Sequence, residues 1–326
     1  MCLCFIGAQL NQKADEETDI GFSYKYTPRT EHNREVKFAA YPLLAAIERC
    51  YPEVFSLLIS HGAKIDIVKI SNNGTVLHVA CSEGTVGMVK TLVNNGSCIN
   101  TEIYSGQTPL FYCLRNTPYH AETRVYPTYE FHFGCTCHLP GKSYEEDIHE
   151  GNDIMEYLIK KGATLSCKDD SGRTPLEHAM MKYRTFSTYI LLKYGGQTSG
   201  EHLDTFPWSL CSWGETIQDQ IPNVHLFRLL LRSNFEFRKL LPVYLEKLRD
   251  LKSTESFLLF LKEVEQPLSL KDQCRISIRN MISTDTGVQF IRSINTLGLP
   301  QLLQGFLMFD DFDQSVRLST EFQQQI

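Results

Sequence analysis

An all-α fold is predicted for this chain: a solenoid of stacked helix hairpins, followed by a helical module near the carboxyl end. Three observations predict it. Segments of one pattern recur as YPLLAA (41–46), TVLHVA (75–80), TPLFYC (108–113) and TPLEHA (174–179), with equivalent positions 42, 76, 109 and 175 separated by 34, 33 and 66 residues. Each is followed by an apolar run that stops at glycine, in FSLLISHGAKID (55–66), VKTLVNNGSCIN (89–100), MEYLIKKGATLS (155–166) and YILLKYGGQ (189–197). Farther on, Leu270, Cys274 and Ile278 stand four residues apart. A unit of this period is one hairpin that cannot bury its apolar face alone, so neighbours must stack.

Each unit reads as a short helix, a tight turn, a second helix and a glycine stop. In the best-formed unit the Thr75 hydroxyl caps the first helix, small Ala80 allows close packing, and Gly84 permits the turn. In its second helix Val89, Leu92 and Val93 share one face, and Gly96 tolerates the positive φ that ends it. These residues resemble the ankyrin repeat, whose T-P-L-H-x-A opening is most nearly complete at 75–80 and 174–179. The resemblance covers 41–197, although the first unit opens with Tyr41 and the second has Val76 where proline is usual. VHLFRLLLRSN (224–234) resembles the second helix of a weaker fifth unit, with Asn234 in place of the glycine.

The 66-residue separation holds no further TPLH-like opening within 115–152, which predicts one repeat with an insertion. The insert is rich in Pro, Tyr and His and is expected to leave the array as a long loop. His132, Cys135, Cys137 and His138 supply zinc-favouring atoms, but their spacing lacks the two separated ligand pairs of a structural finger. No metal and no cofactor is expected. The candidate target-binding residues are Asn72, Asn73, Ser105 and Gln107 in the repeat turns, with Tyr129 and His132 of the insert, because a solenoid presents its loops along one groove.

Ser269 followed by Asp272 is an S-x-x-D helix start, with the carboxylate at the positive helix end. Leu270, Cys274 and Ile278 then form a narrow stripe that Met281 extends. A second helix pattern runs through Phe290, Ile291, Ile294 and Leu297, followed by LGLP (297–300) and LLQGFLMF (302–309). This succession resembles a SOCS box, a three-helix module. The resemblance implies elongin B/C as a partner of Leu270, Cys274 and Ile278, and a cullin scaffold with its RING protein as a partner of Leu297, Leu299 and Pro300. The resemblance implies a cullin of the fifth type, and in the family's cullin-selecting segment, L-P-x-P, Gly298 stands here at the first proline. Leu303, Phe306, Leu307 and Phe309 are expected to complete the core of the box, and Asp310 onward a polar tail.

Composition narrows the remaining classes. With 326 residues and a net charge of −6, the chain has room for a large core and no broad field for nucleic acid or anionic lipid. No apolar run of 18 residues suggests a membrane span. Eleven scattered cysteines read as reduced thiols, the start lacks a basic signal-peptide region, and position 2 is not the glycine that myristoylation needs. These point to the cytoplasm or also the nucleus. No phosphate-loop, dinucleotide, nucleophile-elbow or H-E-x-x-H pattern is present, so no enzyme is expected. His78 and His178 read as backbone-bonding residues, Trp208 and Trp213 as caps over the array's end, and the basic excess at 228–252 as a solvated helix face.

The expected organisation is a flexible segment 1–36, ankyrin repeats 37–197 with the insert at 115–152, a degenerate repeat and connecting helices 198–265, a SOCS box 266–310 and a polar tail 311–326. Taken together the resemblances imply the ankyrin-repeat and SOCS-box family, substrate receptors of cullin-RING ubiquitin ligases: the array holds a target protein while the box docks on the ligase. The competing reading is an ankyrin scaffold whose terminal helices only cap the solenoid.

Overall fold

The computed structural model describes residues 42–48, 50–65, 74–83, 85–114, 144–181, 184–198, 229–230, 232–233, 266–282 and 284–312. The expected segment 1–36, Asn72, Asn73, Gly84, residues 115–143 of the insert with Tyr129 and His132, both tryptophans and 313–326 lie outside them. The described chain is helical, with an isolated antiparallel bridge between Thr164 and Thr286. Among the described residues no helix is long and apolar enough to cross a membrane.

Four hairpins follow in order: α1 (Pro42–Glu48) with α2 (Pro52–Ser60), α3 (Val76–Glu83) with α4 (Val86–Asn94), α5 (Pro109–Cys113) with α6 (Tyr144–Lys160), and α7 (Pro175–Met181) with α8 (Thr185–Lys193). The short first helices stack through Leu43, Ile47, Leu77, Ala80 and Leu110, all essentially inaccessible. Prolines at the starts of α2 and α5 occupy helix positions whose N–H groups would lack partners anyway. Gly96 shows how a second helix stops. At φ 94° it bends the chain so that its own N–H reaches Val93 O at 3.1 Å and the Ser97 N–H reaches Leu92 O at 3.0 Å, satisfying carbonyls at the end of α4.

The third hairpin corrects one boundary. Residues 144–152, read as part of the insertion, belong to α6, which begins at Tyr144. The acidic run EEDIHEGND and Gly151 conceal the helix in the sequence, since polar residues and glycine both weaken the apolar rhythm. From Asn152 onward α6 is anchored by buried Ile154, Met155, Leu158 and Ile159, and Asn152 Oδ1 accepts the Ser187 hydroxyl of α8 at 3.1 Å.

His78 ties one repeat to the next. The Thr75 N–H donates to its Nδ1 at 3.1 Å, the Thr75 hydroxyl lies 2.9 Å from the same atom, and Nε2 lies 3.3 Å from Gln107 O in the following turn. The ring is fully buried, and desolvation pulls its pKa down to about 4 despite the opposing bonds from Gln107 and Thr101. The unfolded chain therefore takes up this proton at a higher pH than the folded one. Stability from neutral His78 is complete above pH ~6.5 and declines as pH falls toward the folded value, by a few kcal/mol at most. Denaturant unfolding at pH 7.5 and 4.5 is expected to show this decline in wild type and a smaller one in His78→Gln; equal declines would contradict it.

The carboxyl module consists of α9 (Leu270–Met281), α10 (Gly287–Thr296) and α11 (Gln301–Leu307). Its own core is small: Phe290, Ile294 and Leu307, flanked by Ile278, Ile282, Leu299 and Met308. The expected closing core holds for Leu307 and not for Leu303 or Phe309. Leu303 is 48% exposed, and Phe309 is buried within the core of the array rather than that of the module. The chain also stays packed beyond position 310, because Phe312 is buried beside Phe309 in the same core. Leu229 and Leu230, the described apolar part of the weak fifth unit, are buried there too.

Candidate adaptor-docking site

The site is built on α9. Ser269 caps it as the S-x-x-D pattern predicts: its hydroxyl accepts the Asp272 N–H at 3.1 Å and donates to Asp272 Oδ2 at 2.6 Å. The helix then presents two opposed faces. On one, Leu270 is 76% exposed, Met281 is 78% exposed and Cys274 is exposed, while Ile278 lies half-buried against the module's core. On the other, Arg275, Ile276 and Arg279 are buried. A leucine or methionine so open forfeits most of the ~1.5–3 kcal/mol that burial of such a side chain is worth, so this stripe is left for something else to cover.

Cys274 neighbours Arg275 in sequence but not in space, since the thiol faces solvent and the guanidinium faces inward.

The buried face is what the sequence hid. Arg275 lies 3.6 Å from the centre of the Phe306 ring, 4.7 Å from that of Phe309 and 5.4 Å from that of Phe312, and its Nη2 contacts Asp311 Oδ2 at 2.5 Å. Arg279 lies between the rings of Phe290 (4.6 Å) and Phe309 (4.4 Å), and its two Nη groups donate to Leu307 O and Leu192 O. Burial, and secondarily Arg275, pull the Arg279 pKa down to about 9, still charged at neutral pH. Phe309 itself takes φ 60°, a left-handed conformation strained for an aromatic residue and held by these contacts and by the Tyr189 hydroxyl, which donates to its carbonyl at 3.4 Å. Charged residues are ordinarily read as exposed; four phenylalanines at 290, 306, 309 and 312 alongside two arginines spaced four apart were the available signal.

A second exposed apolar group lies at the α10–α11 junction. Leu297 is 46% exposed, Leu302 is 89% exposed and Pro300 is exposed, while Leu299 is half-buried against Phe290, Ile294 and Leu307. Leu302 was not singled out from the sequence. Gly298 adopts φ 63°, which proline cannot take, so the departure from L-P-x-P reaches the backbone.

Of the candidate target-binding residues, Ser105 and Gln107 are described, and both are half-buried. Their carbonyls are committed within the array: Ser105 O accepts the Asp170 N–H at 2.9 Å, and Gln107 O accepts the Ile103 N–H at 3.1 Å. The exposed group at this turn is Tyr104, 86% accessible and not foreseen.

Comparison with known proteins agrees with this architecture. A family model for ankyrin repeats, three copies, matches residues 32–123, and a SOCS box model matches residues 266–308. The chain thus carries ankyrin repeats followed by a SOCS box and matches the ankyrin-repeat and SOCS-box family. The fourth hairpin, α7 and α8, lies beyond the matched repeats. Among curated proteins the chain is similar to mouse Rabankyrin-5, 27% identical over 153 residues, which is 47% of this chain and 11% of that protein. The chain therefore spans about a tenth of that relative's length.

Proposed function

We propose that this chain is the target-recognition subunit of a cullin-RING ubiquitin ligase, in which α9 docks elongin B/C through Leu270, Cys274 and Ile278. One observation carries the reading: Leu270 is 76% exposed on a helix whose opposite face is buried against the rest of the protein. A helix serving only as a solenoid cap would turn its apolar stripe inward. Here the leucine, the thiol and Met281 point out while two arginines point in.

Leu297, Leu299 and Pro300 are the residues through which a cullin, of the fifth type, would be selected. Target capture falls to the repeat turns around Ser105 and Gln107, with Asn72, Asn73, Tyr129 and His132 as further candidates and the exposed Tyr104 beside them. The chain itself does no chemistry; holding a target near the ubiquitin-charged enzyme raises the effective concentration of its lysines. Its place of action would be the cytoplasm, and the nucleus as well.

Affinity capture of the purified chain with recombinant elongin B/C and each cullin–RING pair in turn tests the assignment. Retention of elongin B/C together with the fifth cullin is expected. Retention of elongin B/C with a different cullin would overturn the cullin assignment alone, and no retention of elongin would leave a plain ankyrin scaffold.

A further inference from the structure

We propose that Arg279 is a positioning residue that welds the repeat array to the carboxyl module, so that the turns facing a target and the stripe facing an adaptor are held at one fixed angle. The functional consequence rests on the ligase reading above; the weld itself does not.

The argument begins with size. Three buried side chains, Phe290, Ile294 and Leu307, are a thin core for a three-helix unit, which leaves much of its remaining apolar surface to be covered by a neighbour. The array is that neighbour. Phe309 and Phe312 leave the module's sequence to join the array's core, and Ile291 packs against that core from α10. Gly287 lies so close to α6 and the end of α8 that a Cβ there would stand 2.4 Å from Ile159 Cγ2 and 3.1 Å from Tyr194 Cβ. Backbone bonds also cross: the Leu165 N–H donates to Asp285 O at 2.8 Å, and the Ser166 hydroxyl to Asp285 Oδ1 at 3.0 Å.

Arg279 is placed where these contacts converge. Its two carbonyl acceptors, Leu192 O and Leu307 O, lie at the carboxyl ends of α8 and α11, one in each module. Helix carboxyl ends carry partial negative charge, and a cation between two of them meets both at once; at Leu192 O it adds to the Gly195 N–H, which donates to the same carbonyl at 3.0 Å. A hydrophobic side chain of similar volume could fill this space, but it would leave both carbonyls without the guanidinium and nothing to fix the angle between the helices. The planar fork reads two directions at a time, which a lysine head cannot match. An arginine serving the module alone would have no bond to Leu192.

The test uses the full-length chain as wild type, Arg279→Met and Gly287→Ala. The second variant wedges the interface open at a helix position that tolerates alanine, without touching the stripe. Hydrogen exchange, small-angle scattering and titration with purified elongin B/C are read together. Both variants are expected to lose at least tenfold in protection at the Leu165 amide and to scatter as a looser particle. Amides of α4 should keep their protection, and elongin B/C affinity should stay within threefold. Unchanged Leu165 protection and scattering in both would overturn the weld. Loss of elongin binding in both would overturn it too, since the residues would then be serving the module's own fold. Wild type that fails to bind elongin B/C would defeat the ligase reading while leaving the exchange result to stand on its own.

Discussion

Leu270→Asp is expected to reduce elongin B/C affinity by about 100-fold or more while leaving the chain as stable as before. The two halves of that expectation have separate causes. Leu270 is 76% exposed, so the folded chain loses almost no packing. It is also the first residue of α9, directly after the Ser269 cap, where a carboxylate meets the positive end of the helix and is favoured by ~0.3–1 kcal/mol. In a complex that covers the stripe, the substitution removes a buried leucine worth ~1.5–3 kcal/mol and adds the cost of desolvating a charge. Titration calorimetry and thermal unfolding on the same preparations check this. Equal affinity for wild type and variant would remove α9 from the docking site.

Phe290→Ala should do the reverse: damage the module while leaving every residue of the stripe in place. Phe290 is 1% exposed, is one of three side chains in the module's own core, and faces Arg279 at 4.6 Å. Truncating a buried phenylalanine costs about 3–5 kcal/mol. The expected result is rapid hydrogen exchange throughout α9 to α11 with α3 and α4 still protected, and weaker elongin binding because part of the binding energy goes into refolding the module. Wild-type protection across α9 in this variant would show that the array alone suffices to hold it.

The contrast between these substitutions follows what the sequence could and could not reveal. The repeats were legible because their punctuation is local: a hydroxyl or proline before the first helix and a glycine after the second, each required by backbone geometry within a few residues. The stripe was legible for the same reason, since a spacing of four puts Leu270, Cys274 and Ile278 on one face wherever the helix lies. What faces inward is set by tertiary neighbours instead. Arg275 and Arg279 look like surface residues until Phe306, Phe309 and Phe312 fold back over them, and Phe309 looks like part of the module until it enters the array. The start of α6 was obscured by an acidic stretch with little apolar rhythm, and the exposure of Tyr104 depends on where a turn projects, which no local pattern encodes.

The docking claim can be read directly at Cys274. Its thiol and that of Cys98 in the array are both exposed, so each should react with a maleimide in the free chain. With saturating purified elongin B/C, the account predicts that Cys274 alkylation slows by at least an order of magnitude, as expected for a thiol removed from solvent, while Cys98 reacts as before. Cys274 modified at an unchanged rate in a chain that has demonstrably bound elongin B/C would place the adaptor on some other surface and contradict the account.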